Sequence, residues 1–216
     1  MDGYLPNTNM ASGTSLVYKN IYFYRFLMNL IYAGNYKERF KKIIEVIDGI
    51  APRSILELCF GDTFIAAYCK KKDISWQGID INENFVKRAK RMGYSAICKD
   101  VLLADPFIKN DLCIISGSMY HFDPVQRIVL LKKILASSEK VIISEPIINL
   151  ASQKGIIGFI ARRSANAGKG QESFRYNEKS LKSALDELGR EFDFSYKIVG
   201  FIKKDIIVLV EKNGSN

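Results

Sequence analysis

The segment from Ser54 to Asp80 constrains the fold more than any other part of the chain. It begins with a short apolar run, Ser54-Ile-Leu-Glu-Leu, which leads into a turn at Gly61 and then into a stretch with the pattern of a helix. A second apolar run, Trp76-Gln-Gly-Ile-Asp, again ends in an acid. A strand, a glycine turn, a helix and a second strand that ends in a carboxylate form the first half of a nucleoside-binding α/β sheet.

The turn after the first strand contains one glycine, and this bears on the ligand. Dinucleotide sites use the pattern G-x-G-x-x-G, because a pyrophosphate must approach backbone N–H groups at the start of a helix. Here the positions two before and two after Gly61 are Cys59 and Thr63. One glycine lets the backbone approach a ligand at one point only. The sequence therefore favours a ligand with a ribose and without a pyrophosphate, and S-adenosylmethionine has this chemistry.

Four motifs in order give the chain a resemblance to a known family. Residues 57–63 read Glu-Leu-Cys-Phe-Gly-Asp-Thr, a second strand ends at Asp80, an acid follows the third strand at Asp100, and residues 111–122 follow as a fourth strand and its loop. From about residue 43 to residue 212 the chain resembles the class I S-adenosylmethionine-dependent methyltransferases. The family's glycine motif, acid-x-Gly-x-Gly-x-Gly, is matched at the acid and at the middle glycine.

The resemblance implies a Rossmann-like, doubly wound α/β fold. Its mostly parallel sheet would have seven strands, would end in an antiparallel β-hairpin and would be preceded by N-terminal helices. The resemblance also implies S-adenosylmethionine as the cofactor, S-adenosylhomocysteine as the product, a ribose role for Asp80 and an adenine contact for Asp100. The positions that match the family's cofactor-binding residues are Glu57, Leu58, Gly61, Asp62, Asp80, Ile81, Asp100, Val101, Ser116 and Gly117.

Each of the four acids in this set also has an ordinary structural explanation. Asp80 and Asp62 could each cap the helix that follows. Glu57, expected near the cofactor's amino group, could instead be a buried acid that accepts hydrogen bonds from neighbouring backbone N–H groups. Asp100 could be a loop carboxylate in a turn. The ribose role is favoured for Asp80, because this acid ends a Gly-Ile-Asp strand after the glycine turn.

Three side chains after the fourth and fifth strands are candidates for catalysis. Methyl transfer is an in-line displacement, so the protein must hold the acceptor in line and, where needed, remove its proton. His121, Tyr120 and Glu145 are placed for this, and the ordinary pKa of histidine suits a general base. His121 could instead pack against the cofactor or cap the next helix, and Glu145 could simply end its strand before Pro146.

Hydrophobic patterns predict the elements around these motifs. Strands are expected at 54–58, 75–80, 95–98, 111–116 and 140–145, separated by helices at 62–72, 82–92 and 123–136. This alternation predicts a parallel sheet with helices on both faces. Two N-terminal helices are expected at 15–33 and 36–47. A helix at 178–189, stopped by Gly189, and a hairpin of strands at 194–202 and 205–211 complete the chain.

The length of 216 residues fits one domain. Within this single methyltransferase domain, 1–216, we expect a flexible tail (1–14), a helical cap (15–50), a cofactor-binding core (51–146), a lid or substrate insertion (147–177) and a C-terminal helix with its hairpin (178–212). The insertion combines an apolar stretch with several basic residues. This composition would suit an amphiphilic or anionic small molecule, although a lid packed on its own core, with solvated Lys and Arg side chains, is the favoured explanation.

Composition bounds the remaining possibilities. The four cysteines form no C-x-x-C pattern and the chain has one histidine, so neither a disulfide framework nor a metal site is expected. Residues 1–14 do not resemble a signal peptide, and the apolar stretch 16–33 contains charged and polar residues, which makes it a poor membrane-spanning helix. These features predict a cytoplasmic protein. They do not predict its oligomeric state.

The net charge of +9 permits an anionic partner, so nucleic acid and peripheral membrane contact stay open beside a solvated basic surface. The loop after the fourth strand, Ser116-Gly-Ser-Met-Tyr-His, lacks the prolines typical of base-amino methyltransferases. The leading hypothesis is therefore an enzyme that methylates an O or N atom of a small molecule. The alternatives are an RNA or DNA methyltransferase, a non-catalytic methyltransferase-like binding protein, and a nicotinamide-dependent dehydrogenase, which would need the missing glycine fingerprint.

Overall fold

A computed structural model describes residues 21–32, 34–147 and 176–214. The predicted tail at 1–14 and almost all of the predicted insertion at 147–177 lie outside these residues. So does the first part of the helix predicted at 15–33.

Seven strands form one sheet in the order β3-β2-β1-β4-β5-β7-β6. The strands are β1 (Ser54–Leu58), β2 (Ser75–Asp80), β3 (Ser95–Cys98), β4 (Asn110–Ser116), β5 (Ser138–Pro146), β6 (Phe194–Ile202) and β7 (Asp205–Lys212). The first five strands pair in parallel, whereas β7 runs antiparallel to both β5 and β6. This arrangement confirms the predicted doubly wound sheet with a C-terminal hairpin.

Six α-helices accompany the sheet within the described ranges. They are α1 (Ile21–Ile31), α2 (Tyr36–Ile50), α3 (Phe64–Lys71), α4 (Glu83–Arg91), α5 (Pro124–Ser137) and α6 (Glu178–Phe192). Three of them begin at side chains that accept backbone N–H groups: Asn82 before α4, Asp123 before α5 and Asn177 before α6. Such caps satisfy the free N–H groups of the first turn and fix where each helix starts.

The predicted stop at Gly189 is wrong. Helix α6 continues to Phe192 and ends at Asp193, whose φ of 52° is left-handed. Gly189 instead permits a close approach, because a Cβ at this position would lie 2.9 Å from the backbone oxygen of Phe194. The glycine therefore lets the helix approach the start of β6.

The sheet separates two apolar cores. One core joins Leu56 and Ile143 of the sheet to Leu130 of α5 and Leu185 of α6. The other lies on the opposite face, and its members come from α2, α3, α4 and the sheet: Ile43, Phe40, Ile55, Ile65, Phe85 and Ile114. Because β4 is buried on both faces, Leu112 to Ile115 form one continuous apolar run. Because the first five strands are parallel, the polar residues at their carboxyl ends lie along a single edge of the sheet.

All four cysteines are free thiols, and two of them, Cys69 and Cys113, are buried. None of the helices in the described ranges is long and apolar enough to cross a membrane.

Candidate functional site

Asp80 joins the end of β2 to the glycine turn that follows β1. Its buried carboxylate accepts hydrogen bonds from the backbone N–H groups of Gly61 (3.1 Å) and Asn82 (2.7 Å). Burial raises the pKa of Asp80 to about 6, and the two N–H groups oppose that shift. The capping explanation for Asp80 is wrong, because the Asn82 side chain accepts the first N–H groups of α4.

The turn keeps a glycine-like backbone at Cys59, the first of the two positions where the motif lacks glycine. Cys59 has a φ of 53° and Gly61 one of 55°, so both adopt the left-handed region that favours glycine. Burial raises the pKa of the Cys59 thiol, and the carboxylates of Asp80, Asp100 and Glu145 raise it further. These three acids lie at or just after the ends of three different strands, β2, β3 and β5.

Glu57 is buried beneath the turn, in β1. Its Oε2 accepts a hydrogen bond from the indole Nε1 of Trp76 at 2.9 Å. Burial raises the pKa of Glu57 well above its ordinary value, and the indole N–H opposes that shift. Glu57 is thus a buried acid, as the structural explanation predicts, but the donor to its Oε2 is a side chain on the neighbouring strand and not a backbone N–H group. Contact with a cofactor amino group stays a prediction.

Asp62, inside the turn, is fully buried and faces α1. Both of its oxygens accept hydrogen bonds from Arg25, at 2.7 Å each, and Oδ1 also accepts the backbone N–H of Thr63. The N-cap residue of α3 is Thr63, so the capping explanation for Asp62 is wrong. Sequence reasoning missed Arg25, because 37 positions separate it from Asp62 and no motif links them.

The remaining predicted residues at the first three strand ends fall into two groups. Asp100 accepts the backbone N–H of Leu102 at 2.9 Å, which confirms that it is a turn carboxylate and leaves its second oxygen for other partners. Ile81 is half exposed beside Asp80, whereas Leu58 and Val101 lie in the apolar core. Leu58 and Val101 therefore hold the turn and the loop against the apolar core, and their side chains offer no polar group to a ligand.

The end of β4 lies against a buried arginine of α2. Arg39 donates from Nη1 to the hydroxyl of Ser116 at 3.2 Å, and its Nε lies 3.3 Å from Oδ2 of Asp205 at the start of β7. Gly117 has a φ of 62°, and a Cβ there would lie 2.6 Å from Nη1 of Arg39. The guanidinium thus occupies the space that a side chain at position 117 would need. Neither Arg39 nor Asp205 has a sequence signal.

Glu145 organises the loop that carries the other two catalytic candidates. Its Oε1 accepts the backbone N–H groups of Ser118 (2.9 Å) and Met119 (2.8 Å). Oε2 is buried and has no hydrogen-bond partner among the described residues. Burial raises the pKa of Glu145 to about 7, and the two N–H groups oppose this shift. Glu145 lies near the end of β5, as predicted, and it also braces the neighbouring strand end.

Tyr120 and His121 follow in a short 3-10 turn, Met119–His121. Their rings lie 4.1 Å apart between centroids, and both side chains are half-buried. The capping alternative for His121 is wrong, because Asp123 and Gln126 cap α5 reciprocally. Packing of His121 against a cofactor, or a role as general base, stays a prediction.

The predicted residues therefore gather along the carboxyl edge of β1, β2, β4 and β5, with Asp100 in the loop after β3. Ligands of open α/β sheets bind at this edge. Within the described ranges, no group of His, Cys, Asp or Glu side chains could hold a metal ion.

Solved structures share this fold, although no protein-family model and no curated sequence matches the chain. A SAM-dependent methyltransferase from Archaeoglobus fulgidus has a TM-score of 0.62 at 19% identity, over 88% of this chain and 100% of that one. Human N-acetylserotonin methyltransferase in complex with SAM has a TM-score of 0.61 at 17% identity, over 91% and 57%. Small RNA methyltransferase HEN1 has a TM-score of 0.63 at 14% identity, over 83% and 25%. The chain thus has the fold of the class I S-adenosylmethionine-dependent methyltransferases.

Proposed function

We propose that this protein is an S-adenosylmethionine-dependent methyltransferase that acts on an O or N atom of a small molecule. The observation that carries the proposal is the Asp80 carboxylate, which is buried at the end of β2 and hydrogen-bonded to the glycine turn. The family resemblance puts the ribose-binding acid at this position. Each Asp80 oxygen uses one acceptor site on a backbone N–H, which leaves others for two ribose hydroxyls.

The charges at this edge fit the cofactor. S-adenosylmethionine carries a sulfonium and an ammonium group, and both are cationic. Asp80 and Glu145 lie at the carboxyl ends of β2 and β5, and Asp100 follows β3, so this edge of the sheet carries three carboxyl groups. Asp80 would hold the ribose, Asp100 the adenine side, and the turn at Gly61 the amino-acid end. Bound there, the cofactor would supply the electrophilic methyl group.

Glu145 is the best-supported proton acceptor of the three candidates. A pKa of about 7 lies near the value that makes a general base most effective at neutral pH. Its Oε2, which has no hydrogen-bond partner among the described residues, would take the proton from the O–H or N–H of the acceptor as the new bond to carbon forms. Tyr120 and His121, on the loop that Glu145 braces, would line the acceptor's position and orient it.

An RNA substrate is the second candidate. HEN1, a small RNA methyltransferase by name, shares the fold, and the net charge of +9 suits a polyanion. RNA binding that weakens steeply with salt would support this alternative.

A binding protein without catalysis would bind the cofactor and transfer no methyl group. Peripheral membrane contact is a third partner class, which binding to anionic vesicles would test.

The first test is calorimetric titration with S-adenosylmethionine and S-adenosylhomocysteine. Asp80→Asn should weaken binding by about 10- to 100-fold, because hydrogen bonds to a charged group are worth about 1.5–3 kcal/mol. Asp111→Asn is the matched control, since Asp111 also accepts two backbone N–H groups, from Arg53 and Ser54, but at the amino end of β4. Binding should be unchanged in that variant. A folded wild-type protein that binds neither compound would refute the proposal.

A further inference from the structure

The glycine turn contains a carboxylate that is out of place beside the proposed cofactor. Asp62 is fully buried, one residue after Gly61. The amino-acid end of S-adenosylmethionine carries its own carboxylate, and the proposed function places that end at this turn. Two carboxylates at one turn would repel each other unless a cation lies between or beside them.

Arg25 of α1 supplies such a cation. Its Nε and Nη2 donate to the two oxygens of Asp62, each at 2.7 Å, in the bidentate geometry that orients a guanidinium most firmly. Arg88 adds a second cation, with its Nη1 3.5 Å from Oδ1 of Asp62. Two arginines therefore face one carboxylate at the turn.

Arg25 keeps donors for a ligand. A guanidinium has five N–H groups, and Asp62 uses two of them. Within the described part of the chain, Nη1 of Arg25 donates no hydrogen bond to protein, and the side chain is 31% exposed. The guanidinium also lies over the ring of Phe64, the first residue of α3, at 5.1 Å from its centroid. The free donors are thus held beside the turn and within reach of solvent.

Neighbouring contacts fix α1 in this position. The hydroxyl of Tyr24 lies 3.1 Å from the place where a Cβ on Gly61 would be. The same ring packs edge-on against Phe85 of α4, at 5.2 Å between centroids. Helix α1 therefore covers the turn with two consecutive residues, and Arg25 does not depend on the ion pair alone for its placement.

We propose that Arg25, oriented by Asp62, binds the α-carboxylate of the cofactor's amino-acid end. This inference rests on the proposed function, and it makes α1 part of the cofactor site. Asp62 acts as the positioning residue, which holds the guanidinium so that its remaining N–H groups meet the ligand carboxylate. The glycine motif contains no residue that could perform this role, so the cation comes from the N-terminal cap.

The test separates the carboxylate from the rest of the ligand. Calorimetry would compare S-adenosylhomocysteine with 5′-methylthioadenosine, which keeps the adenosine and the thioether and lacks the amino-acid end. Arg25→Gln should weaken the binding of S-adenosylhomocysteine by about 10- to 100-fold, the expected value of a charge-assisted hydrogen-bond pair. It should leave the affinity for 5′-methylthioadenosine unchanged. Decarboxylated S-adenosylmethionine, which keeps the ammonium group, should also bind Arg25→Gln as well as it binds wild type.

Two further variants make the result decisive. Lys37→Gln is the matched control, because Lys37 also lies over the Phe64 ring, at 6.0 Å, but contacts no oxygen of Asp62. It should bind every ligand as wild type does. Arg25→Lys keeps the charge and guards against misfolding, and it should weaken only the ligands that carry the carboxylate.

Three outcomes would overturn the inference. If Arg25→Gln weakens all the ligands equally, Arg25 is only a structural clamp for α1. If it weakens none, the carboxylate lies elsewhere. If the folded wild type binds none of them, the proposed function fails together with the inference, and this result is distinct from the other two.

Discussion

Buried acids at the strand ends make stability depend on pH, and Glu145 is the clearest case. Its pKa rises from 4.5 to about 7 on folding. Between these values the folded protein holds a proton that the unfolded chain has lost. Its contribution to stability is therefore complete below the lower value and declines as the pH rises through the higher one.

Glu145→Gln should remove this dependence. Glutamine keeps an oxygen for the N–H groups of Ser118 and Met119, and its side chain does not titrate. We expect the free energy of unfolding of the variant to match wild type near pH 4 and to exceed it near pH 8 by up to about 3 kcal/mol. Urea unfolding at both pH values would measure the gap. Glu187→Gln, at an exposed position of α6, should show no such trend. A gap that fails to widen with pH would contradict the pKa.

The sequence predicted single residues well where one local motif contained the signal. Gly61 and Asp80 lie in the predicted turn and at the predicted strand end, which come together in a parallel βαβ unit. The partners of buried acids could not be predicted. Nothing local indicates that Glu57 meets an indole or that Asp62 meets Arg25, since these pairs form only when distant elements pack.

At the scale of elements, the periodic patterns located all the strands and helices of the core. Boundaries near a side-chain cap or a strand end shifted by at most a few residues. The stop at Gly189 failed for a specific reason. Glycine is common just after a helix, so the pattern favoured an end there. The actual reason for glycine is the close approach of the Phe194 backbone oxygen, which depends on how the chain turns from α6 into β6.

Gly189→Ala should therefore destabilise the protein, against the usual trend. Alanine in a helix interior is normally better than glycine by about 0.5–1 kcal/mol. Here the new Cβ would lie 2.9 Å from the backbone oxygen of Phe194, so α6 or β6 must shift. Gly49 in α2 is the matched control, because a Cβ there meets nothing within 4 Å. Thermal melts should show Gly49→Ala at or above the wild-type melting temperature and Gly189→Ala below it. The opposite order would refute the contact.

For the whole molecule, the resemblance implied the mostly parallel seven-stranded sheet and the hairpin, but not how the two ends of the chain meet. Arg39 of α2 contacts Ser116 at the end of β4 and Asp205 at the start of β7. Tyr32, which follows α1, donates from its hydroxyl to Asp205 at 3.2 Å. The N-terminal helices are thus joined to the C-terminal hairpin through one buried carboxylate. Sequence patterns could not show this, because the partners lie at opposite ends of the chain.

This junction should make the helical cap and the sheet unfold together. Asp205→Asn leaves the Arg39 guanidinium buried without its counter-charge, which typically costs about 3–5 kcal/mol. Adding Arg39→Met removes the unpaired buried charge. The double variant should therefore lose less stability than the sum of the losses in the two single variants, with a coupling energy of about 1–3 kcal/mol. Glu211 lies on the same strand as Asp205 and forms a partly exposed ion pair with Lys140 of β5. Glu211→Gln should therefore lower the free energy of unfolding by about 1 kcal/mol or less. Urea unfolding followed by both fluorescence and circular dichroism would measure the four variants. If the stability losses of the single variants add up to that of the double variant, Arg39 and Asp205 do not couple the two parts. The same conclusion would follow if the helical cap of the wild type unfolded before the sheet.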